Sequence, residues 1–197
     1  IPLQHGHPQT LKRMRRPANI DWVNRTVEKM RTAMPNLAIR TTFIVGYPGE
    51  TEEEFQTLLS FAKEMRFDRV GAFKFSFEPG THSEALGDPI PEPVKQHRLD
   101  LLMTQQQEIS LQNNQAFVDK ELDILIEAHG EMEDDGQPIA IGRSYRDAPE
   151  IDGLVFVENH PQIPHLPPIG QFAKVKVTGA MTYDLPGIVA PIPLRKS

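Results

Sequence analysis

The 197-residue sequence contains no cysteine. That excludes disulfides, thiolate zinc sites, cysteine nucleophiles and any iron–sulfur cluster ligated from within the chain. No stretch approaches the ~18 apolar residues of a membrane-crossing helix, so neither a helical span nor a membrane partner is expected. No segment has the charged start and apolar core of a secretory signal, which makes a cytoplasmic setting the default. Cations fall short of anions, 21 Lys and Arg against 27 Asp and Glu, for a net charge of −6. What is plentiful is proline, 18 residues, about 9% against the usual ~5%, which predicts many turns and loops. A hydrophobic content of 39% with 24% charged residues is that of a globular chain able to bury a core. The length allows one large domain or two small ones. The chain opens on Ile1-Pro2-Leu3 without an initiator methionine. This apolar start reads as the tail of a buried strand, and we expect the downstream part of a longer protein. A lost tag or processed terminus is the alternative.

Periodicity divides the sequence in two. Ile20, Val23, Val27, Met30 and Met34 recur at helical spacing, with Asp21 as a candidate N-cap and Pro35 as a stop. The run Leu37–Val45 is apolar and β-branched and predicts a mostly buried strand. It ends in the turn Gly46-Tyr47-Pro48-Gly49-Glu50. Thr51 and Glu54 then form a capping box ahead of a second helical stripe at Phe55, Leu58, Leu59, Ala62 and Met65. A second strand follows over Val70–Phe77, a Gly- and Pro-rich loop over Glu78–Pro93, and a polar helix over about Val94–Val118. Strands alternating with helices predict an α/β arrangement with parallel strands. Two βα units and one further strand do not close a barrel, and a parallel sheet needs both faces covered. This is a second ground for expecting an upstream part.

From Leu122 onward the pattern changes. Five short β-like runs, Leu122–Glu127, Ile139–Ser144, Gly153–Glu158, Phe172–Thr178 and Gly187–Ala190, are separated by Gly, Pro and Asp turns. They predict a small antiparallel five-stranded β-barrel of the oligonucleotide/oligosaccharide-binding (OB-like) type, with a domain boundary near residue 119. Charge divides at the same place: residues 1–118 carry 14 cations and 14 anions, residues 119–197 carry 7 and 13. Phosphate affinity comes from Lys and Arg, so the acidic second part suits a basic protein partner better than a nucleic acid. Simple solubilising charge is the alternative.

Several strings carry possible chemistry. In Ile44–Thr51, Gly46 and Gly49 permit close backbone approach at the carboxyl end of a strand, where α/β folds bind ligands. No Lys follows those glycines, so it is not a phosphate loop. An ordinary βα turn explains the same residues. Leu3-Gln4-His5-Gly6-His7 places polar groups past a strand end, but two histidines without a third ligand are weak evidence for a metal. Lys12-Arg13-Met14-Arg15-Arg16 has the forks to clamp a carboxylate, or forms a solvated basic face. Phe73, Phe75 and Phe77 alternate onto one face, which predicts core rather than a stacking platform. Gly142–Gly153 is polar enough to be a binding loop, although its Asp and Gly also suit turns.

Together these strings resemble those of the radical S-adenosylmethionine methylthiotransferases, over essentially the whole chain. Ile1–Pro17, with Leu3-Gln4-His5 and Met14-Arg15-Arg16, resembles that family's fourth barrel strand and following helix. Phe43–Thr51 resembles its Ile-Val-Gly-[Tyr/Phe]-Pro-Gly-Glu-Thr strand, and Phe75–Thr81 its Phe-Ser-x-x-Pro-Gly-Thr strand. The β-domain is similar to its TRAM domain. Pro2-Leu3-Gln4-His5 and the Arg143–Gly153 loop favour the branch that methylthiolates the β-carbon of an aspartate in ribosomal protein S-twelve over the tRNA-modifying branch.

The resemblance implies a partial radical-SAM (βα) barrel over 1–118, a TRAM domain over 119–190 and a tail over 191–197. It implies S-adenosylmethionine as cosubstrate and two 4Fe–4S clusters in the full-length protein. One cluster, held by a Cys-x3-Cys-x2-Cys motif, generates a 5′-deoxyadenosyl radical that removes hydrogen from the substrate carbon. None of those cysteines is in this chain, so it implies an inactive C-terminal fragment with no catalytic or metal-ligating residue. Gln4 and Arg16 resemble residues lining the cosubstrate pocket, Ile44, Val45 and Gly46 the strand along the adenosyl group, and Phe75 and Ser76 the next strand. Arg143, Tyr145, Asp147, Glu150 and Asp152 form the substrate-binding set of the TRAM loop. The implied partner is the basic ribosomal protein, with tRNA less favoured. A tRNA adenosine methylthiotransferase fragment and a stand-alone substrate-binding module are the alternatives. Exposed strand edges would allow an artefactual dimer of the fragment.

Overall fold

The computed structural model describes residues 1–132, 136–163 and 165–191. The chain divides into two compact units, Ile1–Ile109 and Ser110–Ser197. Of the tail expected over 191–197, all but Pro191 lies outside the described residues.

In the first unit, β1 (Arg40–Val45) and β2 (Arg69–Lys74) pair in parallel, from Arg40 opposite Arg69 to Val45 opposite Lys74. Gln4 bridges to Phe43 in parallel on the other edge of β1: its N–H donates to the Thr42 carbonyl and its carbonyl accepts from Ile44 N–H, both at 2.8 Å. Thr41, Phe43 and Val45 face inward, while Thr42 and Ile44 are half-buried on the opposite face. Both expected strands are longer than the observed ones. Leu37 is drawn back into a turn by its N–H bond to the Met34 carbonyl, so β1 begins at Arg40.

Helices α1 (Pro8–Arg13), α2 (Ile20–Ala33), α3 (Glu52–Met65) and α4 (Glu92–Gln115) surround these strands, and the last turns of α4 belong to the second unit. The N-cap of α2 is Asn19, which accepts from Trp22 N–H, rather than the expected Asp21. Asp21 falls inside the first turn, where its charge suits the positive end of the helix dipole. For α3 the expected capping box is complete: Thr51 Oγ1 accepts from Glu54 N–H and Glu54 accepts from Thr51 N–H. Such caps contribute roughly 1 kcal/mol. The helix ends at Arg66, in the left-handed conformation at φ 46°. Its stripe of Phe55, Leu58, Phe61, Ala62 and Met65 packs with Phe43, Val45, Phe67 and Leu102 into one core. Phe43 meets Phe61 and Phe67 edge-on, with ring centroids 6.3 and 6.1 Å apart.

The expectation for Phe73, Phe75 and Phe77 is corrected. Phe73 is 61% and Phe77 41% exposed, whereas Phe75 is buried. Phe73 stands opposite Ile44 and so lies on the Thr42–Ile44 side of the sheet, away from the helical core. Phe75 keeps to the same side, where it is buried edge-on against Tyr47, and Phe77 lies beyond the end of the strand.

The second unit is a closed barrel of β3 (Glu121–Glu131), β4 (Pro138–Arg143), β5 (Val155–Glu158), β6 (Phe172–Val177) and β7 (Leu185–Val189), in the order β3-β4-β5-β7-β6. Alternate residues fill it: Leu122, Ile124 and Ile126, then Val155 and Val157, then Ala173, Val175 and Val177. A register shift between Ile126 and Ala128 bends β3 so that its two halves pair with β6 and β4. The all-antiparallel expectation fails at one seam, where β5 and β7 run parallel. An odd number of strands closed into a ring cannot alternate direction all the way round, so one neighbouring pair must be parallel. Among the described residues no helix is long and apolar enough to cross a membrane.

Candidate functional site

The turn after β1 is built around a buried carboxylate. Gly46, at φ 73°, donates its N–H to Glu50 Oε2. The Glu50 side chain is fully buried and also meets His5 Nε2 at 3.3 Å and Arg98 Nη1 at 3.3 Å. Arg98 Nη1 donates to the Glu50 carbonyl at 3.2 Å as well. His5 Nδ1 accepts from His7 N–H at 2.9 Å, so the ring hydrogen sits on Nε2 and points at Glu50. His5 thus serves the turn, and His7 caps α1 by accepting from Gln9 N–H.

A second carboxylate fixes the basic run. Arg13 forms a two-pronged pair with Glu54, which also accepts from Thr10 Oγ1 at 3.2 Å. Burial of Glu54 opposes its charge, but the hydrogen bond from Arg13, the Thr51 N–H and the Arg13 charge outweigh it and hold the carboxyl below the usual range. The clamp expected of this run is therefore realised within the chain at Arg13, and Arg16 is left for the cleft. Tyr47 Oη donates to the Arg13 carbonyl at 3.2 Å. Burial pushes this phenol up, against the lowering influence of Arg13 and Arg15.

At the carboxyl ends of the parallel strands lies a cleft of about 540 Å³. It brings together Gln4, Arg16, Ile44, Phe75 and Ser76 from the expected set. Val45 and Gly46 do not line it. Val45 points to the helical face and is fully buried in the core, and Gly46 backs onto the Lys95 side chain. The cleft also holds Phe73, expected in the core, and Tyr47, Thr81, His82 and Ser83, which residue-by-residue reading did not single out. Tyr47 and Thr81 sit inside the quoted Gly-Tyr-Pro-Gly and Pro-Gly-Thr strings. His82 and Ser83 follow in a short 3-10 helix, His82–Leu86, that carries no periodic signal. Tyr47 packs edge-on against Phe75 at 5.2 Å, giving an apolar floor. Hydroxyl, amide, imidazole and guanidinium donors rim it. This arrangement suits a flat aromatic ring bearing polar or anionic substituents.

In the second unit the expected loop residues separate by role. Asp147 accepts from Ser144 Oγ at 2.6 Å and from Ser144 N–H, and Asp152 accepts from Ala148 N–H at 2.9 Å. These two carboxylates are used by the loop's own backbone. Arg143 pairs with Glu127 at 2.7 Å. Tyr145 is 55% exposed and Glu150 is exposed, at a positive φ of 62°. Arg146, which the sequence reading passed over, is buried: it donates to Asn114 Oδ1 at 3.1 Å and lies 4.1 Å from the Phe117 ring centre.

Residues 1–62 match the Radical SAM superfamily and residues 118–189 match the TRAM domain. Three relatives bear the name ribosomal protein uS12 methylthiotransferase RimO. That of Herpetosiphon aurantiacus is 50% identical over 187 residues, which cover 95% of this chain and 38% of the relative. That of Roseiflexus sp. strain RS-1 is 45% identical, over 98% of this chain and 39% of the relative. That of a Thermus thermophilus strain is 44% identical, over 96% of this chain and 42% of the relative. The chain thus spans about two fifths of the length of these relatives. It carries a region that matches the Radical SAM superfamily and one that matches the TRAM domain, and it is similar to these relatives across nearly its whole length.

Proposed function

We propose that this chain is part of an enzyme that adds a methylthio group to the β-carbon of an aspartate in ribosomal protein uS12. In this reading its first unit supplies one wall of the S-adenosylmethionine cleft, and its TRAM unit meets the basic protein substrate. The observation that carries it is the cleft at the strand ends, in a chain 50% identical over 187 residues to a relative of that name. Ile44, Tyr47 and Phe75 would hold the adenine against an apolar floor. Gln4 and Ser76 would bond its polar substituents, and the fork of Arg16 would meet a carboxylate. In the radical S-adenosylmethionine methylthiotransferases that the chain resembles, the cosubstrate bound here would supply the radical chemistry that activates the substrate carbon.

The clusters themselves do not fit here. The sequence has no cysteine, and among the described residues no group of three or more His, Asp or Glu side chains is placed to hold a metal. The role of this chain is therefore to bind and orient, and by itself it is inactive. The excess of 13 anions over 7 cations in residues 119–197 supports the basic partner through charge complementarity.

Mass spectrometry of cells lacking the gene tests the substrate. The methylthio group is expected to vanish from the uS12 aspartate while methylthioadenosine in tRNA is unchanged. The opposite pattern overturns the reading. Reconstitution of the 197-residue chain with iron and sulfide is expected to give no cluster absorption band and no S-adenosylmethionine cleavage; either one refutes its inactivity.

A further inference from the structure

We propose that Lys95 is a positioning residue of the cleft: its buried ammonium and stem fix the two strand ends that form the floor and the loop that forms the rim. For its effect on binding the proposal rests on the cleft reading above. Its structural part stands independently.

Lys95 is out of place by local rules. It lies in the first turn of α4 (Glu92–Gln115), where the helix dipole disfavours a cation. It is only 3% exposed, and lysine is almost never this buried unless paired. An apolar residue at such a site is often no less stable than a buried ion pair. The tertiary contacts show what holds it there. Its Nζ meets Asp88 Oδ2 at 2.6 Å and Glu92 Oε2 at 3.6 Å, and donates to the Phe75 carbonyl at 3.2 Å. The ammonium also lies 5.7 Å from the Phe75 ring centre. Its stem runs against Gly46, where an added Cβ would come 2.5 Å from Lys95 Cγ.

One side chain therefore touches the residue after β1, the residue after β2 and the far end of the loop that carries Thr81, His82 and Ser83 into the cleft. Phe75 lines the floor, and its N–H bonds the Val45 carbonyl at 2.8 Å. Lys95 holds the other end of the same peptide segment through the carbonyl. Without the ammonium the Phe75 carbonyl loses this donor and Asp88 loses its cation, so floor and rim are freed together.

The test uses Lys95→Met in the full chain, which keeps an apolar stem and removes the charge. Asp88→Asn is the second variant, since it leaves the buried packing intact. Amide hydrogen exchange is read at Gly46, Phe75 and Thr81–Ser83, with Leu58 in α3 as the control for the rest of the unit. S-adenosylhomocysteine is the binding probe. Lys95→Met is expected to speed exchange at Phe75 and Thr81–Ser83 about tenfold, leave Leu58 and Gly46, which the stem still covers, unchanged and weaken the probe about tenfold. Equal acceleration at Leu58 overturns the proposal, because a merely structural lysine would loosen the whole unit. Unchanged exchange at Phe75 and Thr81–Ser83 also overturns it. Should Lys95→Met not fold, Asp88→Asn decides: faster exchange at Thr81–Ser83 alone supports the role, and no change there refutes it. Failure of the unaltered chain to bind the probe counts against the cleft reading, while exchange still judges Lys95.

Discussion

Replacing Glu50 by Gln isolates the energetics of the turn that opens the cleft. The carboxylate is fully buried: Oε2 accepts from Gly46 N–H and pairs with the Arg98 cation, and Oε1 meets His5 Nε2. A Gln amide keeps one acceptor oxygen and turns an NH2 toward the remaining donors. With that oxygen in the place of Oε2, His5 Nε2–H faces the NH2 and loses its acceptor, at a cost of about 1–3 kcal/mol. Arg98, with a side chain only 7% exposed, keeps Glu52 at 3.4 Å, the Glu50 carbonyl and the Phe55 ring among the described residues. Leaving one partner of a buried pair uncompensated costs about 3–5 kcal/mol. The two costs bracket a loss of roughly 1–5 kcal/mol in the first unit. With a urea m-value of about 1–3 kcal/mol/M, the midpoint drops by at least ~0.3 M. The assay is urea denaturation followed through separate methyl resonances of Val45 in the first unit and Val155 in the second. Only the Val45 transition is expected to move. Adding Arg98→Met to Glu50→Gln should recover part of the loss, because it removes the orphaned cation. A shift of under ~0.3 M, or no recovery in the double variant, would refute the buried-pair account.

Two further outcomes are accessible. Glu54 has its carboxyl held below the ordinary carboxylate value, so its contribution is present at neutral pH and is lost as pH falls through the folded-state value. Thermal melts from pH 7 to pH 3 should show the first unit losing stability with acid. Glu54→Gln should flatten that slope, and an unchanged slope would count against the Arg13–Glu54 pair. Ile124→Ala empties a fully buried site in the barrel and is expected to cost about 2–5 kcal/mol, read in the Val155 transition alone. A parallel loss in the Val45 transition would mean that the two units do not unfold separately.

Much of this molecule was legible in local sequence because the forces involved are local. The capping box of Thr51 and Glu54 needs only residues three apart. The stripes of α3 and the alternation of the barrel strands follow from the 3.6 and 2.0 periods of backbone geometry. The cysteine count bounded the metal chemistry before any coordinates. Gln4, Arg16, Ile44, Phe75 and Ser76 were chosen by resemblance, and the structure gathers them on one cleft, while the same string's Val45 and Gly46 face elsewhere. Adjacent strand residues point to opposite sides, so no single motif could line the cleft with all three of Ile44, Val45 and Gly46.

What only the tertiary structure decided depends on groups far apart in the chain. Periodicity cannot tell which sheet face a helix covers, and Phe73 was misplaced for that reason. The parallel seam of β5 and β7 arises from ring closure, a property of the five strands together. Arg13 became a strut because Glu54, 41 residues on, takes its fork. Lys95 lies 20 residues from Phe75 and would have passed for an exposed helix lysine. Local sequence specified the elements and their caps, because these need only neighbours. The burial of a charge, the orientation of a face and the lining of a cleft were set by what each side chain meets across the fold.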